Sequence, residues 1–108
     1  MARYINEITT TKDINTAKFV AEDFFNKEGF SKTNYNGEEV WKKGVGLLAA
    51  PQFIKITYSE GKIYLQAWLK FALLPGIYIG EMGLTGFFGF ALKKMLASRV
   101  KTLESLLK

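Results

Sequence analysis

The chain has no cysteine and no histidine among its 108 residues. Without thiols no disulfide can form, so redox chemistry leaves no mark of the compartment on the sequence. Zinc centres built from thiolate and imidazole are excluded. So are Ser-His-Asp and Cys-His nucleophile systems, which need an imidazole base. An enzyme made from this chain would work through Glu, Asp, Lys or Tyr. No acidic cluster has the spacing to hold a hard cation. The expectation is therefore a protein that is not an enzyme and needs no cofactor or metal. Proline is scarce as well, at Pro51 and Pro75 only.

What is present is apolar. Hydrophobic residues make up 48% of the chain and aromatics 15%, enough for one well-packed domain over 1–108. The formal net charge is +5. A bias of that size fits a soluble surface with spare lysines, and it also fits an acidic partner such as a nucleic acid or an anionic membrane. The N-terminal MARYINEITTTKD has no apolar run after its basic residue and is not read as a signal peptide. A cytoplasmic location is the expectation.

Residues 3–10 alternate weakly and are read as an edge strand. Asp13–Glu28 is the best-specified element. Ile14, Ala17, Val20, Ala21, Phe24 and Phe25 recur at helical spacing, Asp13 or Thr11 can cap the start, and Gly29 followed by Phe30 marks the stop. Asn36-Gly37 is a strong type I′ hairpin signal joining strands over 30–35 and 38–48. After Pro51 a strand over 53–59 turns at Glu60-Gly61 into another over 62–70. A two-residue turn there sets Tyr58 opposite Ile63, Ile56 opposite Leu65 and Ile54 opposite Ala67 on an apolar face. The other face then holds Thr57 with Tyr64, Lys55 with Gln66 and Phe53 with Trp68. From Phe88 to the C-terminus the spacing of Leu92, Met95, Leu96, Val100, Leu103, Leu106 and Leu107 predicts an amphipathic helix with a basic outer face, for which Thr85 is a plausible cap.

The predicted order is β-α-β-β-β-β-α: an α+β fold with a curved antiparallel sheet and both helices packed on one face. That order, over nearly the whole chain, resembles the TATA-binding-protein-like and helix-grip folds. Trp41-Lys42-Lys43-Gly44-Val45-Gly46, Ala67-Trp68 and the run Gly80 to Phe87 are also similar to a small uncharacterised bacterial domain. The resemblance implies a sheet wrapped around a long C-terminal helix and no assigned activity.

Phe71–Leu92 is the most unusual stretch. It is apolar apart from Glu81 and carries Gly76, Gly80, Gly83, Gly86 and Gly89. Its length is that of a membrane helix, but Pro75, the glycines and the roughly 2.5–3.5 kcal/mol cost of Glu81 at a bilayer centre oppose one. It is read as a buried crossover from sheet to helix, with a flap over a ligand or partner site as the alternative. Glu81 is either a general acid or ligand anchor with a raised pKa, or a carboxylate held by backbone N–H groups in a turn; the second is favoured.

Two functions follow. The first is a binding module that docks a protein partner, a second copy, a membrane surface or an apolar ligand. Its candidate contacts are Tyr58, Trp68, Tyr78, Glu81 and Phe87. The second is a nucleic-acid-binding domain using Trp41, Lys43, Phe53, Lys55 and Tyr64 on the sheet face away from the helices, together with the basic helix face.

Overall fold

Asp13 opens the first helix as its sequence position requires: Oδ1 accepts the Thr16 N–H at 2.7 Å. The helix, α1, runs Ile14–Glu28 and ends at Gly29, whose φ of 85° lies in the left-handed region. Phe30 N–H then returns to the Phe25 carbonyl at 2.9 Å, closing the turn. A second lock comes from across the sheet, where the Lys43 ammonium donates to the Glu28 carbonyl. The computed structural model describes residues 3–43, 51–74, 77–82 and 90–108, with side chains described over 3–43, 51–69 and 94–108.

The strands are β1 Tyr4–Thr9, β2 Ser31–Tyr35, β3 Glu38–Lys43, β4 Gln52–Ser59, β5 Lys62–Leu74 and β6 Ile77–Met82; the second helix, α2, is Phe90–Leu107. All pairings are antiparallel, in the order β1-β5-β4-β3-β2, with β6 also on β5. The β2–β3 hairpin turns at Asn36 (φ 51°) and Gly37 (φ 89°), the two positive values a type I′ turn demands. The β4–β5 register is the predicted one at all six pairs from Tyr58↔Ile63 to Phe53↔Trp68.

The expected strand count needs correction. Residues 71–82 are not a single crossover: β5 continues to Leu74, and β6 pairs back on it from Leu74↔Ile77 to Leu69↔Met82. In sequence terms the intervening Pro-Gly pair favours a turn, and Ile77, Tyr78 and Ile79 favour strand. Gly83, Gly86, Phe87, Gly89 and the proposed Thr85 cap lie outside the described residues. No helix among the described residues is long and apolar enough to cross a membrane.

Both helices cover one face of the sheet. Ala17, Ala21, Phe24 and Phe25 of α1 and Leu96, Val100, Leu103 and Leu107 of α2 pack with Ile8, Trp41, Ile54, Ile63, Leu65, Ala67 and Leu69 in one core. Arg99 ties the layers together, donating from Nε to Glu28 of α1 at 3.0 Å and from Nη1 to Gln52 of β4 at 2.7 Å. Tyr4 and Asn6 of β1 both donate to Glu104 of α2, at 2.6 and 2.8 Å. Glu104 therefore binds α2 to the sheet edge.

Two stability measurements check this account. Leu65→Ala, at a fully buried position between the helices and the sheet, is expected to cost about 2–5 kcal/mol in a urea titration. Gly29→Ala is expected to cost about 1–2 kcal/mol, because a Cβ there would stand 2.9 Å from Lys43 Nζ as well as at positive φ. A neutral Gly29→Ala result would refute the left-handed stop.

Candidate functional site

The sheet alternation sends Gln66, Trp68, Phe53, Lys55, Val40, Glu38 and Tyr35 to the face opposite the helices. A second, smaller core forms there from Val40, Phe53 and Trp68, with Tyr35 against it. Phe53 and Trp68 stack at 5.5 Å and 9°. The Arg3 guanidinium lies 3.7 Å from the Trp68 ring centroid. It also donates to Glu38 through both terminal nitrogens, at 3.0 and 2.9 Å, and to Gln66 at 2.9 Å. Lys55 reaches the same Glu38 at 3.0 Å. These two cations, hydrogen-bonded to Glu38, hold its carboxyl at about 2, well below the usual carboxylate range.

The nucleic-acid set does not share this face. Phe53, Lys55 and Tyr64 do, but Phe53 is buried and Lys55 is occupied by Glu38. Trp41 and Lys43 belong to the helix side. Trp41 stacks on Phe25 at 4.6 Å within the main core, and Lys43 caps α1. The expected outer-face grouping of Trp41 with Phe53 is thus corrected by the β3–β4 register, which puts Trp41 across from Ile54 of the main core and Lys42 across from Phe53.

The docking set is also divided. Trp68 is buried on the outer face, whereas Tyr58 lies on the helix side, half-buried against the main core. Tyr78 and Glu81 fall in β6, across from Ala72 and Lys70 respectively. The backbone register places Glu81 within a strand, and not in the turn expected for it. Phe87 lies outside the described residues.

One depression was missed by sequence reasoning. Beside α1, Lys18 and Glu22 of the helix face Lys32 of β2, Glu39 and Trp41 of β3, and Ile56 and Tyr58 of β4 around a cleft of about 140 Å³. Burial pushes the Tyr58 hydroxyl up to about 12, with Glu22 adding to the shift, so Tyr58 remains a neutral donor across the physiological range. A shallower depression of about 280 Å³ adjoins it along β2 and shares Lys32 and Glu39. Only strand register could have revealed the cleft, because its seven residues come from four elements.

Among the described residues no group of Asp and Glu could hold a metal ion. The perturbed titrations have structural causes. Tyr4 is pushed up to about 12 by burial and by its bond to Glu104. Asp13 is lowered by the N–H groups it caps.

Because the folded pKa of Glu38 is depressed, its contribution to stability is present above the free carboxyl value near 4.5 and is lost as pH falls toward about 2. Glu38→Gln is expected to lower stability at pH 7 by about 1 kcal/mol and to flatten the loss between those pH values in acid titrations followed by fluorescence. An unchanged acid profile would show that the Arg3–Glu38–Lys55 cluster is energetically silent.

No protein-family model matches this chain, and no curated protein or solved structure is significantly similar to it.

Proposed function

We propose that the chain is a non-catalytic binding module that docks a protein partner through the apolar β5–β6 ribbon and the glycine-rich sequence that follows it in the chain. The observation that carries this reading is the backbone of the ribbon. β4 stops pairing at Gln52↔Leu69, while β5 runs on to Leu74 with β6 on its other edge. Leu69 pairs with both Gln52 and Met82, so β6 and β1 lie end to end along one edge of β5. Among the described residues, positions 70–74 therefore have one free ladder edge, and β6 has another.

Every residue from Phe71 to Leu74 and from Ile77 to Ile79 is apolar. A protein strand answers both needs at once, pairing the open edge and covering apolar side chains. Lipid covers the side chains but leaves strand-edge N–H and C=O groups unpaired. A small apolar ligand does the same. The chemistry thus favours a protein surface over the other two. The nucleic-acid reading gains no such support: Phe53 is buried, Trp41 stacks on the helix side, and Tyr64 is the single exposed ring of its set.

A photo-crosslinking residue at Tyr78 is expected to give a discrete adduct in cells that Ile79→Lys abolishes while the fold is retained. A concentration-dependent dimer in sedimentation would name a second copy as the occupant of the same edge. Flotation of the chain with lipid vesicles, with no adduct and no dimer, would overturn the reading.

A further inference from the structure

The charged groups of this protein divide into two sets. Most of those near the sheet are engaged: Arg3 and Lys55 with Glu38, Arg99 with Glu28 and Gln52, Glu104 with Tyr4 and Asn6, Lys43 with the Glu28 carbonyl. Around the cleft beside α1 the pattern reverses. Lys18, Glu22, Lys32 and Glu39 make no hydrogen bond among the described residues. The closest approach is Lys32 Nζ to Glu22 Oε2 at 3.9 Å, the outer limit of an ion pair. Lys32 also stands 5.3 Å from the Trp41 ring centroid, loosely placed over an aromatic face.

The floor between these groups is apolar and aromatic: Trp41, Ile56 and Tyr58. Two ammonium groups and two carboxylates surround it, so the rim has no net charge. A ligand of one sign would satisfy two rim groups and confront two like charges. A ligand carrying both signs on adjacent atoms, with a compact apolar body, meets all of them. The cleft volume of about 140 Å³ equals about five waters at ~30 Å³ each, which suits a small aliphatic body with its charged end at the rim.

We propose that this cleft is a binding site for a small zwitterion of the aliphatic α-amino acid class. The carboxylate is received by Lys18 and Lys32, and the ammonium by Glu22 and Glu39. The side chain rests on Trp41 and Ile56, where the Tyr58 hydroxyl is a further donor to the carboxylate. Lys32 moves little to serve this role, because no hydrogen bond holds it. The site lies on the opposite side of the fold from the β5–β6 ribbon and does not rest on the docking reading.

The test uses the whole chain and L-valine as the probe, followed by the indole N–H resonance of Trp41, assigned with Trp41→Phe. Isovalerate and isobutylamine are valine without its ammonium or its carboxylate. Valine is expected to shift the Trp41 resonance saturably, with half-saturation at about 1 mM or below. Both analogues are expected to bind at least about tenfold more weakly, since each leaves rim charges unmet. Lys32→Gln and Glu22→Gln, at solvent-facing side chains, are each expected to weaken valine at least about fivefold. Lys101→Gln on α2 should leave it unchanged. A shift that stays linear to about 50 mM valine, or equal binding of either analogue, overturns the proposal; the wild-type titration alone decides this, whatever the variants do.

Discussion

β5 is the constraint on which the molecule depends. It pairs with β1 and β4 over its first half and with β6 over its second. Ile63, Leu65, Ala67 and Leu69 are buried under the helices and Trp68 is buried on the far side, where Tyr64 is exposed. A slip of one residue would exchange those faces, putting Trp68 against α1 and α2 and the leucines into the Arg3–Glu38 cluster. β3 and β4 also enter both cores, through Trp41 with Val40 and through Ile54 with Phe53, and β5 aligns them. The register of β5 against β4 is therefore what makes a one-sided helical layer and a polar, aromatic outer face compatible.

Much of that register was legible, because local chemistry and side-chain pattern agreed. Asn36-Gly37 and Glu60-Gly61 set the turns, and the apolar pairs across 54–67 admit one alignment only. The N-terminal helix was legible for the same reason, from its Asp13 cap to its Gly29 stop. The β5–β6 ribbon was not. Its residues are apolar at nearly every position, so no period separates strand from helix, and only the Pro75-Gly76 dipeptide and the Ile-Tyr-Ile run pointed to a hairpin. Trp41 was misplaced for a related reason. Val40 and Trp41 are adjacent and both large, so alternation alone does not say which one faces the helices. Among the proposed contacts, Tyr58 proved to line a cleft, while Trp68 proved to be core.

The two surfaces with a functional reading sit at opposite ends of β5. Ile63, opposite Tyr58, marks the cleft end, and Leu74 marks the ribbon tip. At ~3.3 Å per residue the separation along the strand is about 35 Å. Each surface also solves a different problem. The cleft gathers charges that lack hydrogen-bonding partners over an aromatic floor. The ribbon has an apolar sequence and, among the described residues, open ladder edges. A single ligand could not meet both demands, so the two are separate properties of the fold.

The outer face shows why aromatic residues beside lysines were a poor guide to nucleic-acid binding here. A stacking platform needs exposed rings and uncommitted cations. Trp68 is instead fully buried, and among the described residues its Nε1–H has no acceptor. An unsatisfied buried donor costs about 1–3 kcal/mol, so its retention requires a compensating gain. The indole supplies two that phenylalanine would supply less well: a broad surface stacked on Phe53, and the strongest aromatic face for the Arg3 cation. Arg3 in turn brings Glu38 and Gln66 into one network across β1, β3 and β5. Tyr35, Phe53, Trp68, Arg3 and Lys55 of this face are thus engaged in one cluster, while Tyr64 is exposed beside it. That cluster closes the side of the sheet over which no helix lies among the described residues.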